Sequence, residues 1–170
     1  VNNNGCADGN INLSDVLIST ESPSESFATF SSETGAYQFF VGEDTYTTTV
    51  NNLPSYYSIS PNSATSTFSG LQNTDTVNFC LETSADINDL NISIYSSQTP
   101  RQFINITYYV VYRNVGTNTL DGSITFDYEP DKLEFLNAGT ETVVDTGNSI
   151  VLEFEDLDPL ETRILPLEFF

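Results

Sequence analysis

The chain has 170 residues, with 24 acidic and 4 basic side chains and no histidine, tryptophan or methionine. A net charge of -20 excludes the basic patches that nucleic acids demand and opposes docking on anionic lipid heads. Without histidine there is no His-based triad or histidine metal ligand, and two cysteines are too few for a structural zinc site or an iron–sulfur cluster.

Hydrophobic residues make up 38% of the chain, including 12 Phe and 9 Tyr, and charged residues only 16%. That is enough apolar material for a packed core and too little charge for a disordered acidic tail. The polar surplus is Ser, Thr and Asn, which suits sheet faces and turns and disfavours helices. No apolar run approaches the ~20 residues of a membrane helix, so direct membrane insertion is not expected.

In chain order, Val1–Asp15 (VNNNGCADGNINLSD) comes first. Asn and Asp oxygens at alternating positions, with a glycine to turn the chain, make a loop suited to calcium. In one frame Asn2, Asn4 and Gly5 are the tail of a D-x-N-x-N-G loop whose first Asp precedes Val1, with Asp8 completing it. An EF-hand-like frame from Asn4 places Asp8, Gly9, Ile11, Asn12 and Asp15 at the expected offsets. It has Asn and Cys at its first and third positions, however, and a β-like Val16–Thr20 after it, so the first frame fits better. The alternative is an Asx-rich turn without metal. Calcium is therefore expected only as a structural ion, and no cofactor is required.

Alternating stretches predict strands at Val16–Ser19, Phe27–Ser31, Ala36–Phe40, Asp44–Asn51, Tyr57–Ser60, Thr65–Phe68 and Thr76–Leu81. A short helical turn around Leu13–Val16 is the one other option. Glu33-Thr34-Gly35 and Val41-Gly42-Glu43 read as tight connections. Asn52-Leu53-Pro54 and Ser60-Pro61-Asn62 read as loops. Cys6 and Cys80 stand at opposite ends of this half. In an oxidising compartment they are expected to join as a disulfide worth ~4 kcal/mol in the chain-entropy picture; the alternative is two buried thiols.

The segment Glu82–Asp89 (ETSADIND) is acidic and poor in apolar residues, and all four basic residues, Arg101, Arg113, Lys132 and Arg163, follow it. It marks a boundary between two all-β domains, residues 1–83 and 84–170. Beyond it, strands are expected at Leu90–Tyr95, Ile104–Arg113, Gly122–Tyr128, Lys132–Asn137, Ser149–Phe154 and Thr162–Phe169. Asn114-Val115-Gly116 and Leu120-Asp121-Gly122 read as turns, the second with a hairpin Asp-Gly pair. Six or seven strands in about 85 residues fit an immunoglobulin-like sandwich. Pro166 is unusual inside a final strand, because proline interrupts a ladder.

Carboxylate pairs such as Glu153/Glu155 and Glu129/Asp131 are spaced as neighbours on one strand face and read as solvated acid rather than a glycosidase pair. Tyr56, Tyr57, Tyr108 and Tyr109 are candidates for stacking on sugars, with core positions as the alternative. Asn12-Leu13-Ser14, Asn91-Ile92-Ser93 and Asn105-Ile106-Thr107 match the N-glycosylation sequon. Asp75-Thr76-Val77 matches a short bacterial O-glycosylation pattern that makes Thr76 a candidate acceptor.

Longer stretches carry a resemblance. VNNNGCADG, TGAYQFFVGEDTYTTTV, NLPSYYSISPNSATSTF and NTDTVNFCL resemble modules repeated in large surface proteins of Flavobacteria and other Bacteroidota, which are similar to the calcium-loaded B-type repeats and other transthyretin-like stalk domains. NDLNISIY, TYYVVYRNVGTNTLDGSITFDY, DKLEFLNA and LDPLETR resemble the immunoglobulin-like conserved-repeat domain that follows in such proteins. The resemblance implies two tandem β-sandwiches in a non-catalytic adhesin or gliding-type protein at the outer-membrane surface. It implies export by the type IX machinery, which would be a partner, along with neighbouring modules of the same chain and surface glycans or proteins. The alternatives are a carbohydrate-binding accessory module and a strand-donating fibre subunit. The short acidic junction leads to the expectation of a passive spacer with its domains end to end, kept apart from its neighbours by like charge.

Overall fold

The computed structural model describes residues 12–170 in full and residues 2 and 3 at the level of the backbone. Among the described residues the protein is all-β. Its strands are β1 (Asn2–Asn3), β2 (Leu17–Glu21), β3 (Ser26–Phe30), β4 (Asp44–Asn51), β5 (Tyr57–Ser60), β6 (Ala64–Phe68), β7 (Cys80–Thr83), β8 (Leu90–Ser96), β9 (Ile106–Asn114), β10 (Leu120–Asp127), β11 (Phe135–Asn137), β12 (Val144–Asp145), β13 (Ser149–Leu157) and β14 (Thr162–Phe169). The chain divides into two compact units, Val1–Ile87 and Asn88–Phe170, a division that falls inside the acidic segment Glu82–Asp89.

In the first unit a four-stranded antiparallel sheet has the order β3-β2-β4-β6, and a three-stranded sheet has the order β1-β7-β5 with β1 parallel to β7. Alternation selects the inner face. Ile18 and Thr20 on β2 are buried, as are Tyr46 and Thr48 on β4 and Ser66 on β6, while their sequence neighbours are more exposed. Leu13, Val16, Ile18, Phe79 and Leu81 are almost fully buried and form the apolar part of this core. Ser31 closes one end of it: its hydroxyl donates to the Leu13 carbonyl at 2.7 Å and accepts from the Val16 N–H at 3.1 Å.

Two strands expected here are replaced by other structure. Ala36–Phe40 carries strand-like residues but joins no ladder, and the Thr76–Leu81 strand begins only at Cys80. The turn at Gly35 does form, with φ of 71° and the Gly35 N–H donating to Ser32. Its far arm then leaves β3 after one further bond, Ser32 N–H to the Ala36 carbonyl. No helical turn forms at residues 13–16.

The second unit packs a four-stranded sheet, order β11-β14-β9-β8, on a three-stranded sheet, order β10-β13-β12. Ile106, Val110 and Tyr112 of β9 and Leu165, Leu167 and Phe169 of β14 meet Ile124 of β10 and Ile150, Leu152 and Phe154 of β13 in one core. The strand count and the four-plus-three split match a constant-type immunoglobulin domain, but the order does not. In that fold the fifth strand lies between the second and fourth, and the seventh lies beside the sixth. Here those two are exchanged: β14 lies between β9 and β11, and the short β12 lies beside β13.

Three further local expectations change. Asp121-Gly122 is no hairpin turn; it is a bulge inside β10, where the register with β13 shifts between Leu120 and Gly122. The Asp121 carboxylate accepts the Asp156 N–H at 2.9 Å, and a Cβ on Gly122 would stand 2.9 Å from the Phe154 ring. Ring packing, not turn geometry, requires this glycine. The Lys132–Asn137 strand forms only from Phe135, and Val144–Asp145 is an additional short strand.

Pro166 is accommodated within an inner strand. Asn114 N–H donates to the Glu161 carbonyl, so backbone groups of β14 at odd positions face β9 and those at even positions face away. Pro166 therefore lacks its N–H on the β11 side, where pairing with β11 reaches only Phe169 and Glu168.

Candidate functional site

The inner face of β3-β2-β4-β6 changes chemistry along its length. Beyond Ile18 the side chains are Thr20, Thr48, Tyr46 and Ser66. The segments 36–43 and 70–78, which left the ladders, flank this stretch. Together they line a cleft of about 1090 Å³, at the upper limit of the size range of small-molecule sites.

Its floor is hydroxylic. Thr20 and Thr48 are buried with their Oγ1 atoms 2.9 Å apart. Ser66 Oγ donates to Asp75 Oδ2 at 2.6 Å, and the Thr76 N–H donates to Asp75 Oδ1 at 2.8 Å. These two donors, the serine first, hold the Asp75 carboxyl below the usual carboxylate range, so it is an anion at neutral pH. Across the cleft the Tyr37 hydroxyl donates to the Val77 carbonyl at 2.8 Å, tying the two flanking segments together. Burial, followed by the Asp75 charge, pushes the Tyr37 phenol up to about 12. Tyr46 donates to Glu25 Oε2 at 3.0 Å, and its phenol is raised first by burial and then by that carboxylate.

The mouth is apolar. Phe40 is 85% and Leu71 91% exposed, and Phe30, Phe39 and Phe68 complete the walls. The Tyr37 ring meets Phe39 edge-on at 5.9 Å. The cleft thus offers aromatic faces, hydroxyls and two carboxylates, the hydrogen-bonded Asp75 and Glu43, and no Lys or Arg among the described residues that line it. That arrangement favours neutral polyhydroxylated or cationic ligands over anions.

The residues singled out from sequence are scattered. Asn4, Cys6 and Asp8 lie outside the described residues. So does the side chain of Asn2, whose backbone pairs with Cys80 in the β1–β7 ladder. Among the described residues no group of three metal-ligating side chains gathers. Cys80 is buried on β7 and is not a free thiol; its expected partner, Cys6, is not among the described residues. Thr76 is exposed and lines the cleft. Asn12, Asn91 and Asn105 are exposed, the last donating to Glu168 at 3.0 Å.

Tyr57 is turned into the core at 8% exposure with Tyr56 against it, ring centroids 5.4 Å apart, so it offers no face to a sugar. Tyr108 points inward onto Phe126 and Phe169. Tyr109 lies on the outer face, stacked on Tyr95 at 5.1 Å. Glu153, Glu155, Glu129 and Asp131 are all exposed, and Glu129 is paired with Lys132.

The cleft residues themselves gave little sequence signal. Thr48 and Ser66 sit at inward positions of strands read from sequence, and Thr20 lies one residue beyond the expected Val16–Ser19 strand, on a β2 that runs to Glu21; buried hydroxyls look like exposed ones in a hydropathy pattern. Asp75 drew attention only through its neighbour Thr76. Compared with family models, characterised proteins and solved structures, the chain gives no match.

Proposed function

We propose that this chain is a non-catalytic, extracellular segment of a large type IX-secreted surface protein, serving as stalk and adhesin, with a transthyretin-like first domain and an immunoglobulin-related second. The observation that carries this reading is the succession of two compact all-β units, each with its own core, in a chain of strongly acidic charge and without histidine. Together with the sequence resemblance to flavobacterial surface modules, that pattern fits a repeat-built exported protein. Protease treatment of intact host cells tests it: release of fragments of this chain into the medium is expected, and full protection until the cells are lysed would refute it.

A second reading, a glycan-binding module, draws support from the cleft and no longer from Tyr56 or Tyr57. Aromatic faces beside hydroxyls and a carboxylate suit sugar rings, which present C–H faces and hydroxyl edges. A glycan array separates the readings. Binding abolished by Phe40→Ala or Asp75→Ala supports a sugar site in the cleft, and binding that survives both places any sugar contact elsewhere.

A further inference from the structure

Among the described residues, the outermost strand of the larger sheet in the second unit, β8, lacks the features that usually protect a sheet edge. It is seven residues long, regular in its pairing with β9, and free of proline and of Lys, Arg, Asp and Glu. Edge strands without such features are templates for adding another strand. Its side chains are also bare: Ile92 is 50%, Ile94 52% and Tyr95 52% exposed. The register places Ile92 opposite Tyr112 and Ile94 opposite Val110, both inward residues of β9. The two isoleucines therefore extend the core face beyond its cover, whereas Leu90 packs on the core.

The backbone groups left over can be named. Ser97 N–H donates to the Thr107 carbonyl. Counting back by twos, Tyr95, Ser93 and Asn91 face β9, while Leu90, Ile92, Ile94 and Ser96 aim their N–H and C=O groups away from the sheet. We propose that β8 pairs antiparallel with β8 of a second copy about a two-fold axis through Ser93, joining two four-stranded sheets into one.

That register is the one the strand itself selects. Rotation about Ser93 sets Ile92 opposite Ile94 and Leu90 opposite Ser96, so all four outward-facing residues of each copy find outward-facing partners and about eight inter-chain hydrogen bonds close. The half-exposed isoleucines of the two copies become cross-strand neighbours on one face, the favourable apolar pairing of sheets. Charge also favours this direction. Antiparallel docking brings the end followed by Arg101 to the end preceded by Asp86 and Asp89 of the other copy; parallel docking would set the acidic ends together. The overall charge of -20 opposes approach at long range, but that repulsion is screened beyond about 8 Å at physiological salt, so association strengthens as salt is raised. The interface is isologous and closes at two copies.

Sedimentation of the whole chain at physiological salt and high micromolar concentration should give a mass near twice 18.8 kDa, and Ile94→Lys should return it to a monomer with an unchanged circular dichroism spectrum. A second pair of variants tests the register without relying on that fold. Under mild oxidation Ser93→Cys, at a non-hydrogen-bonded site on the axis, should cross-link about tenfold faster than Asn91→Cys, whose counterparts are far apart. A wild-type chain that stays monomeric at high salt overturns the proposal. So does equal or absent cross-linking of the two cysteine variants, or a dimer that survives Ile94→Lys.

Discussion

Asn114 shows how much one buried polar side chain can organise. It is fully buried at the end of β9; its amide donates to the Asn118 carbonyl at 2.7 Å and the Leu157 carbonyl at 2.9 Å, and its Oδ1 accepts the Gly116 N–H at 2.9 Å. Those bonds fold the connection from β9 to β10 and fasten it to the end of β13. Asn114→Ala takes a donor from the Asn118 and Leu157 carbonyls and leaves the Gly116 N–H only its 3.2 Å bond to the Asp89 carbonyl; it should cost about 2 kcal/mol by chemical denaturation. From sequence, Asn114 was legible only as a turn residue, because its burial depends on a contact 43 residues away.

Tyr37 yields a pH dependence. In the folded protein it holds its proton to about 12, against an ordinary value of 10.0, so between these values the folded state binds more protons than the unfolded one. The stability it contributes is complete below about pH 10 and is lost as pH climbs toward 12. Tyr37→Phe should flatten that alkaline loss in denaturant titrations, leaving the smaller part due to Tyr46, Tyr112 and Tyr128, whose phenols are also raised.

Among the elements, strands with uninterrupted alternation were the legible ones. Asp44–Asn51, Tyr57–Ser60 and Thr162–Phe169 have the bounds that the sequence predicts. Ala36–Phe40 has the right residues, but strand identity needs a neighbour's ladder, and tying Tyr37 to Val77 takes this segment away from β3. The Asp-Gly pair misled for a related reason: local turn chemistry gave way to a ring 32 positions along the chain. Gly122→Ala drives a Cβ into Phe154 and should destabilise the protein by about 2 kcal/mol through overpacking. Adding Phe154→Leu should recover part of that loss when the midpoints of the single and double variants are compared. The cleft was illegible for a third reason, since it is made of segments that left the sheets.

At the scale of the whole molecule, composition already indicated an all-β protein; the compact units divide after Ile87, within the acidic segment Glu82–Asp89 but later than the 83/84 boundary expected from sequence. The sheet order within the second unit did not follow from strand count, because exchanging β12 and β14 leaves the number and spacing of strands untouched.

That exchange has a mechanical consequence. β8 and β14 flank β9 and run antiparallel to it, so they are parallel to each other. β8 begins beside Asn114 and β14 ends beside Ile106, at opposite ends of β9. Tension applied through the two ends of this unit pulls β8 and β14 in opposite directions along the strands, with β9 between them. Every rung of both ladders is then loaded at once in shear, instead of opening one after another as in a zipper. Pro166 does not weaken this clamp, because its missing N–H faces away from β9. In a single-molecule pulling experiment the unit should resist as one barrier with a single high-force rupture, since forced unfolding reports the unfolding rate. Val111→Pro in β9 should lower that force far more than an equally destabilising change in β12, which carries none of the load. A protein that must hold fast under flow would gain from a sheet whose central strand is gripped from both sides.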